Sequence, residues 1–308
     1  MAVAHVLEST TNDWQLITRL NKDLRDSAAL MGRQEARYLV DLYYSIQEQR
    51  QRAASQSRTS DKNEPSNVTD WLFTQFKTLE ADIKKSLVVY ANSKVPGIWA
   101  QTVHGIGPVI AAGLLAHINV NPWKCYSKKH DEKCTPEEPH SPGSIPGGVC
   151  EHKPVHTAGG VWRFAGLDPT TEWKKGEKRP WNADLKRLAW IIGDSFCKQR
   201  SSPKDFYGKF YSDRKALEQS KNEAGDFAHL AEKDLAEKKV KDKDLKKILE
   251  SGKIPPGRIE LRSRRYATKL FLAHYHHVAY EDCFGTQPPK PYAIAQLNHA
   301  HYIAPPNL

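Results

Sequence analysis

Residues 103–115, Val-His-Gly-Ile-Gly-Pro-Val-Ile-Ala-Ala-Gly-Leu-Leu, constrain the fold more than any other stretch, because they read as a helix, a two-glycine hairpin and a second helix. Gly105 and Gly107 supply torsions and a close approach that a side chain would block, and Pro108 suits a first helical turn, where the backbone N–H has no partner anyway. The main-chain amides around His104, Gly105, Ile106, Gly107 and Val109 are expected to point outward at the positive end of the second helix. That arrangement suits a phosphate backbone and carries no base information. The competing expectation is an ordinary helical hairpin whose glycines only permit tight packing.

The 308 residues hold 39% hydrophobic and 9% aromatic residues, enough for two or three modest cores. No apolar run approaches the span of a membrane, and the N-terminus leads into polar sequence without a signal-peptide core, so a cytoplasmic location without a membrane partner is expected. Five cysteines at positions 125, 134, 150, 197 and 283 are odd in number and unevenly spread, which argues against a secreted disulfide framework. The formal net charge is +10, and residues 161–280 hold 27 Lys and Arg against 17 Asp and Glu, so the whole excess sits in that region. A basic half beside a phosphate-gripping hairpin makes a polyanion the expected partner.

Helical periodicity organises the rest, and the chain is expected to be mainly α, multi-helical, with a helix-hairpin-helix module and a small irregular Cys/His-rich insert. Residues 1–68 read as an N-terminal helical segment and linker, with Trp14, Ile17, Leu20, Leu24, Leu30, Leu39, Leu42, Tyr43 and Ile46 at roughly helical spacing and residues 53–67 as an exposed connection. A helix begins after Thr69-Asp70 and leads into the hairpin, giving a module at 69–120. After the insert at 121–160, a basic helical domain covers 161–285, with Asn182 as a cap, a charged helical arm or pair at 228–252, and a last helix from Arg258 to Tyr280 after the Pro255-Pro256-Gly257 break. A Pro-rich tail occupies 286–308. No run of strands is expected.

The insert holds Cys125, His130, Cys134, His140, Cys150, His152 and His156. Thiolate and imidazole are the ligands that tetrahedral zinc prefers, and a closed site replaces the core that a Pro/Gly-rich segment cannot build. The expected structural zinc ligands are Cys125, Cys134, Cys150 and His152, with His130 or His156 as substitutes; unliganded loop residues and a catalytic metal are the alternatives. His274, His276 and His277 on the last helix, and His299 and His301 in the tail, read mostly as packing or surface residues.

The helix at 79–90, the hairpin Val103-His104-Gly105-Ile106-Gly107-Pro108, the motif Trp162-Arg163-Phe164-Ala165-Gly166-Leu167-Asp168-Pro169 and Leu185-Lys186-Arg187-Leu188 resemble, in that order, the C-terminal domain of the insertion-sequence one-ten (one-sixteen / nine-oh-two) transposase family. The resemblance spans roughly residues 75–285. It implies recombination on DNA, an N-terminal nuclease-like domain with four acidic residues, a serine nucleophile just after the Gly-Leu-x-Pro motif, a structured RNA guide in some members, and a prokaryotic or phage-encoded, nucleoid-associated protein. The residues before 69 read as helix instead, and no serine follows Pro169 until Ser195. Thr170 or Thr171 is the only nearby hydroxyl.

The expectation is therefore a DNA-binding relative without recombinase chemistry, with RNA as an optional partner and self-association through the N-terminal helices. It would hold phosphates through the hairpin and through Arg163, Lys174, Lys175, Lys178, Arg179, Lys186, Arg187, Arg262, Arg264 and Arg265, with Trp173 and Trp181 either stacking on bases or packed in the core. An active recombinase using Thr170 or Thr171 or a partner nuclease domain, and a helical adaptor protein, are the rival expectations.

Overall fold

The computed structural model describes residues 19–59, 67–120, 123–125, 152–154, 157–237, 240–289 and 302–307. Among them the chain is mainly helical, and it forms two compact units: residues 1–98 with 107–117, and residues 99–106 with 118–308.

The first unit holds α1 (Lys22–Asp26), a 3-10 turn (Ser27–Leu30), α2 (Arg33–Thr59), α3 (Asn67–Asn92) and α5 (Pro108–His117), with the first turn of α4 (Val95–Thr102). Helix α2 buries Ala36, Val40, Tyr43, Ile46 and Ala53 on one stripe and packs along α3, whose Ile83, Leu87 and Tyr90 answer it. Helix α5 packs on both, and because nine of its ten residues are buried it can be apolar all round. Gly97 lets α4 start against α3: a Cβ there would lie 2.1 Å from the Ala91 carbonyl oxygen and 2.7 Å from Leu115. The Arg37 Nε donates to the Ala116 carbonyl at 2.8 Å, satisfying one of the groups that a helix end leaves open. Helix α2 runs on to Thr59, so the expected connection from residue 53 is helical for seven more residues, while 60–66 lie outside the described residues.

The second unit is built around the 29-residue α11 (Pro256–Phe284), against which α6 (Ala158–Phe164), α7 (Ala183–Gln199) and α8 (Tyr207–Glu223) pack. Its centre is aromatic. Phe196, Tyr207 and Phe271 meet with centroids 4.9–5.5 Å apart, and Trp99 stacks on Phe271 at 5.9 Å. His274 is held from both ring nitrogens: Nδ1 pairs with the Tyr207 hydroxyl at 2.7 Å and Nε2 with the Ile303 carbonyl at 2.9 Å. Burial pushes its pKa down to about 4, so the ring is neutral and Nε2 is the donor. The Trp99 indole N–H donates to the Pro306 carbonyl at 2.9 Å, and with His274 it fastens residues 302–307 to the core.

The charged arm is the pair α9 (Ala228–Glu237) and α10 (Lys243–Glu250). A small cluster of Phe227, Ile254 and Ile259 anchors it, and Asn222 bonds both the N–H and the carbonyl of Ile254. The expected mainly α class holds, and the only strands among the described residues are the three-residue β1 (Trp123–Cys125) and β2 (His152–Pro154), which pair antiparallel. No helix among the described residues is long and apolar enough to cross a membrane.

Candidate nucleic-acid interface

Of the hairpin's two glycines, Gly105 is explained first by packing, whereas a Cβ at Gly107 would meet nothing within 4 Å. Gly105 sits at φ +89°, a torsion that L side chains rarely adopt, and a Cβ there would lie 2.8 Å from the Ser195 hydroxyl oxygen. Ser195 donates to the Gly105 carbonyl at 2.6 Å, and His104 Nε2 pairs with Gln199 at 3.0 Å, so this part of the bend is pinned to the C-terminal half of α7. The Ile106 amide is used by the Val103 carbonyl at 3.0 Å. The amides of Gly107, Val109 and Ile110 have no acceptor among the described residues, but Val109 and Ile110 are buried. Of the two expectations for this segment, tight packing therefore accounts for His104, Gly105 and Ile106.

Cations gather elsewhere on the second unit, at the other end of α7. Lys186 precedes Ser195 by nine residues, which is about 13 Å along a helix axis. The loop from Ala165 to Asn182 builds the site. Gly166, at φ +64°, makes room for it: a Cβ would lie 2.8 Å from Lys186 Cδ and 3.0 Å from Trp181 Cγ. The Lys186 Nζ then rests 3.8 Å from the centre of the Trp181 ring, and the Asn182 amide donates to the Phe164 carbonyl at 2.9 Å. Asn182 also caps α7 through its side chain, as expected from the sequence, by accepting from the Leu185 amide. Trp181 is thus a half-buried support. Trp173 differs: its ring is 37% exposed, meets Trp181 edge-on at 6.4 Å, carries Arg179 at 5.6 Å, and has its N–H fixed by the Glu177 carbonyl at 2.8 Å.

The electrostatics of this patch are unbalanced. Desolvation lowers the pKa of Lys186, and the charges of Arg265 and Arg179 push it further the same way. Arg265 is lowered by desolvation and then by Arg262. Lys269, stacked 4.2 Å over Trp162, is lowered by desolvation, with Asp168 acting in the opposite direction. No carboxylate among the described residues forms an ion pair with Lys174, Lys175, Lys178, Arg179, Lys186 or Arg265.

The remaining expected contacts are engaged internally. Arg262 pairs with Glu218 at 2.5 Å, Arg264 with Asp194 at 2.9 Å and Glu260 at 2.8 Å, and Arg163 with Asp168 at 3.2 Å; Arg187 also has a partner. Sequence reasoning passed over two contributors, Lys269 and Trp190. Trp190 lies one turn beyond Lys186 on the solvent face of α7 and is 57% exposed, the most exposed aromatic side chain among the described residues of the second unit. The signal that could have found it is its i, i+4 spacing from Lys186 on the face opposite Leu188 and Ile192.

Two of the nearby hydroxyls, those of Thr170 and Ser195, are engaged in internal hydrogen bonds. Thr170 donates to Asp168 Oδ1 at 2.7 Å and its amide bonds the same oxygen at 2.9 Å; these bonds hold the Asp168 pKa down to about 2, too low for a base near neutral pH. The Thr171 amide closes the same turn onto the Asp168 carbonyl at 3.4 Å. The Ser195 hydroxyl is spent on Gly105.

Of the zinc candidates, the ribbon places Cys125 and His152 directly opposite each other in register. Cys134, Cys150, His130 and His156 lie outside the described residues. Among the described residues no group of three or more His, Cys, Asp or Glu could hold a metal ion. Comparison with protein-family models, with curated proteins and with solved structures gives no match to this chain.

Proposed function

We propose that this chain is a DNA-binding protein, and that its second unit holds the phosphate backbone through the patch formed by the 165–182 loop, the start of α7 and the middle of α11. The observation that carries the reading is the uncompensated charge of Arg179, Lys186 and Arg265, each within electrostatic reach of another cation and none ion-paired with a described carboxylate. Crowding like charges costs free energy, and a polyanion recovers it by releasing condensed counterions. Lys174, Lys175 and Lys178 on the exposed loop extend the same field. The hairpin braces α7 in this reading, and recombinase chemistry is left out because Thr170 lacks a competent base.

Relatedness to the insertion-sequence one-ten transposases belongs to this proposal and rests on the ordered motifs alone. So does a structural zinc in the 121–160 insert, supported by the Cys125–His152 register; elemental analysis giving about one zinc per chain would support it and a folded, zinc-free insert would refute it. Self-association through the first unit is favoured by the exposed Val68, Trp71, Leu72 and Leu79 on α3, spaced for one helical face, and sedimentation would show a monomer if it is wrong. The primary test is a salt titration of DNA binding by fluorescence anisotropy. The log of the affinity should fall steeply with log salt, and a flat line would overturn the proposal.

A further inference from the structure

The cations of the patch are interleaved with two indole rings that the fold leaves in solvent. Trp190 is 57% exposed, and among the described residues its ring meets no other ring or cation. Large exposed aromatics are unusual on a helix whose inner face, Leu185, Leu188, Ala189 and Ile192, is already buried. Trp173 is 37% exposed and meets Trp181, the ring that carries Lys186, edge-on at 6.4 Å. Its N–H is tied down by the Glu177 carbonyl, in a turn that Gly176 makes with φ +99°, and Arg179 lies over the ring at 5.6 Å, so this indole and its cation are presented together at the surface. Trp173 meets Trp181, Trp181 carries Lys186, and Lys186 and Trp190 are separated by one turn, about 6 Å along the axis, so the cation lies between an indole pair on one side and a single exposed indole on the other.

Duplex DNA offers phosphates to such a surface but keeps its bases stacked inside. An unpaired strand offers both phosphates and bare base faces, and every base has a π face, so ring stacking plus a cationic groove binds single strands with little regard to sequence. We propose that the patch is a single-stranded DNA track, in which Trp173 and Trp190 stack on unpaired bases while Arg179, Lys186 and Arg265 hold the intervening phosphates. This inference rests on the nucleic-acid reading above and names its substrate class. Trp190 is the new element, a base-stacking residue on the outer face of α7.

The experiment uses the full chain with a labelled oligo-dT of roughly 15 nucleotides and a duplex of the same length. The single strand should bind at least about tenfold more tightly, with quenching of tryptophan fluorescence. In the Trp173→Ala/Trp190→Ala double variant, affinity for oligo-dT should drop by about 10- to 100-fold while duplex affinity changes less than about threefold; Trp173→Phe/Trp190→Phe should restore most of the loss. Both positions are on the surface, and an unchanged circular dichroism spectrum and melting temperature confirm folding. Equal affinity for both probes, or equal losses on both in the alanine variant, would overturn the track while leaving salt-dependent DNA binding intact. If neither probe binds in a salt-dependent way, the track and the DNA-binding reading fail together.

Discussion

Two groups of cations on the second unit look alike in the sequence and differ completely in their surroundings. Arg262, Arg264 and Arg214 are each met by a carboxylate: Glu218, which is 0% exposed, takes Arg214 and Arg262, and Glu260 takes Arg264 together with Lys215 and the Tyr211 hydroxyl. Arg179, Lys186 and Arg265 have indoles and other cations for neighbours instead. The first group joins α8 to α11. The second meets rings but no carboxylate among the described residues, and its charge is available to an outside anion. A basic region is thus two populations, and the position of the acids separates them.

The comparison can be broken most severely at Glu218. Glu218→Gln leaves two guanidiniums facing each other over a neutral amide and should cost about 2–3 kcal/mol in urea unfolding, less than the ~3–5 kcal/mol of a fully buried pair because both arginines are about a third exposed. A change under about 0.5 kcal/mol would show that the pair does not hold α8 to α11.

Acid sharpens the contrast. Hydrogen bonds from Lys215, Tyr211 and Arg264 outweigh burial and hold the Glu260 pKa down to about 2, and Asp168 is likewise held at about 2 by Thr170 and Arg163. For a carboxyl whose folded pKa is depressed, the stabilisation is present above its unfolded value near 4 and disappears as pH falls toward 2. Unfolding free energy should therefore decline by roughly 2 kcal/mol between pH 5 and 2 from these two groups together, after allowance for their partial exposure. Glu260→Gln with Asp168→Asn should flatten that part of the curve.

Gly166→Ala acts on the uncompensated group. The added methyl meets Lys186 and Trp181 in a left-handed backbone, and a loss of about 1–2 kcal/mol is expected together with weakened DNA binding. Wild-type binding in a destabilised protein would separate the support from the interface. The smallest effect has the opposite sign. Arg265→Gln relieves like-charge crowding and should raise stability by about 0.5 kcal/mol while reducing affinity for DNA, a trade of stability against function. Destabilisation by this variant would place Arg265 with Arg262 in the structural group.

Much of the helical order was legible because periodicity reports burial directly. The Asn182 cap, the helix launched by Pro255-Pro256, and the charged pair α9–α10 all appear near their expected positions. The site was legible only in composition. Which arginines face an acid depends on contacts such as Arg262–Glu218 and Arg264–Asp194, 44 and 70 residues apart, which no local pattern encodes. The same holds for Gly105: Gly-x-Gly announces a tight bend, while only the packed structure shows Ser195 occupying the carbonyl beside it. Trp190 was hidden by its type, since a tryptophan on an amphipathic helix is ordinarily counted toward the core.

The most direct test compares the salt dependence of DNA binding by the wild-type chain, by Arg179→Gln/Lys186→Gln/Arg265→Gln, and by a charge-matched control, Lys233→Gln/Lys243→Gln/Lys247→Gln, on the exposed faces of α9 and α10. If the uncompensated cluster holds phosphates, the first triple variant will lower affinity at every salt concentration and make the slope shallower by about 2–3, while the control keeps the wild-type slope. Equal losses in both triple variants would mean that net charge alone attracts DNA, and would contradict the assignment of the interface.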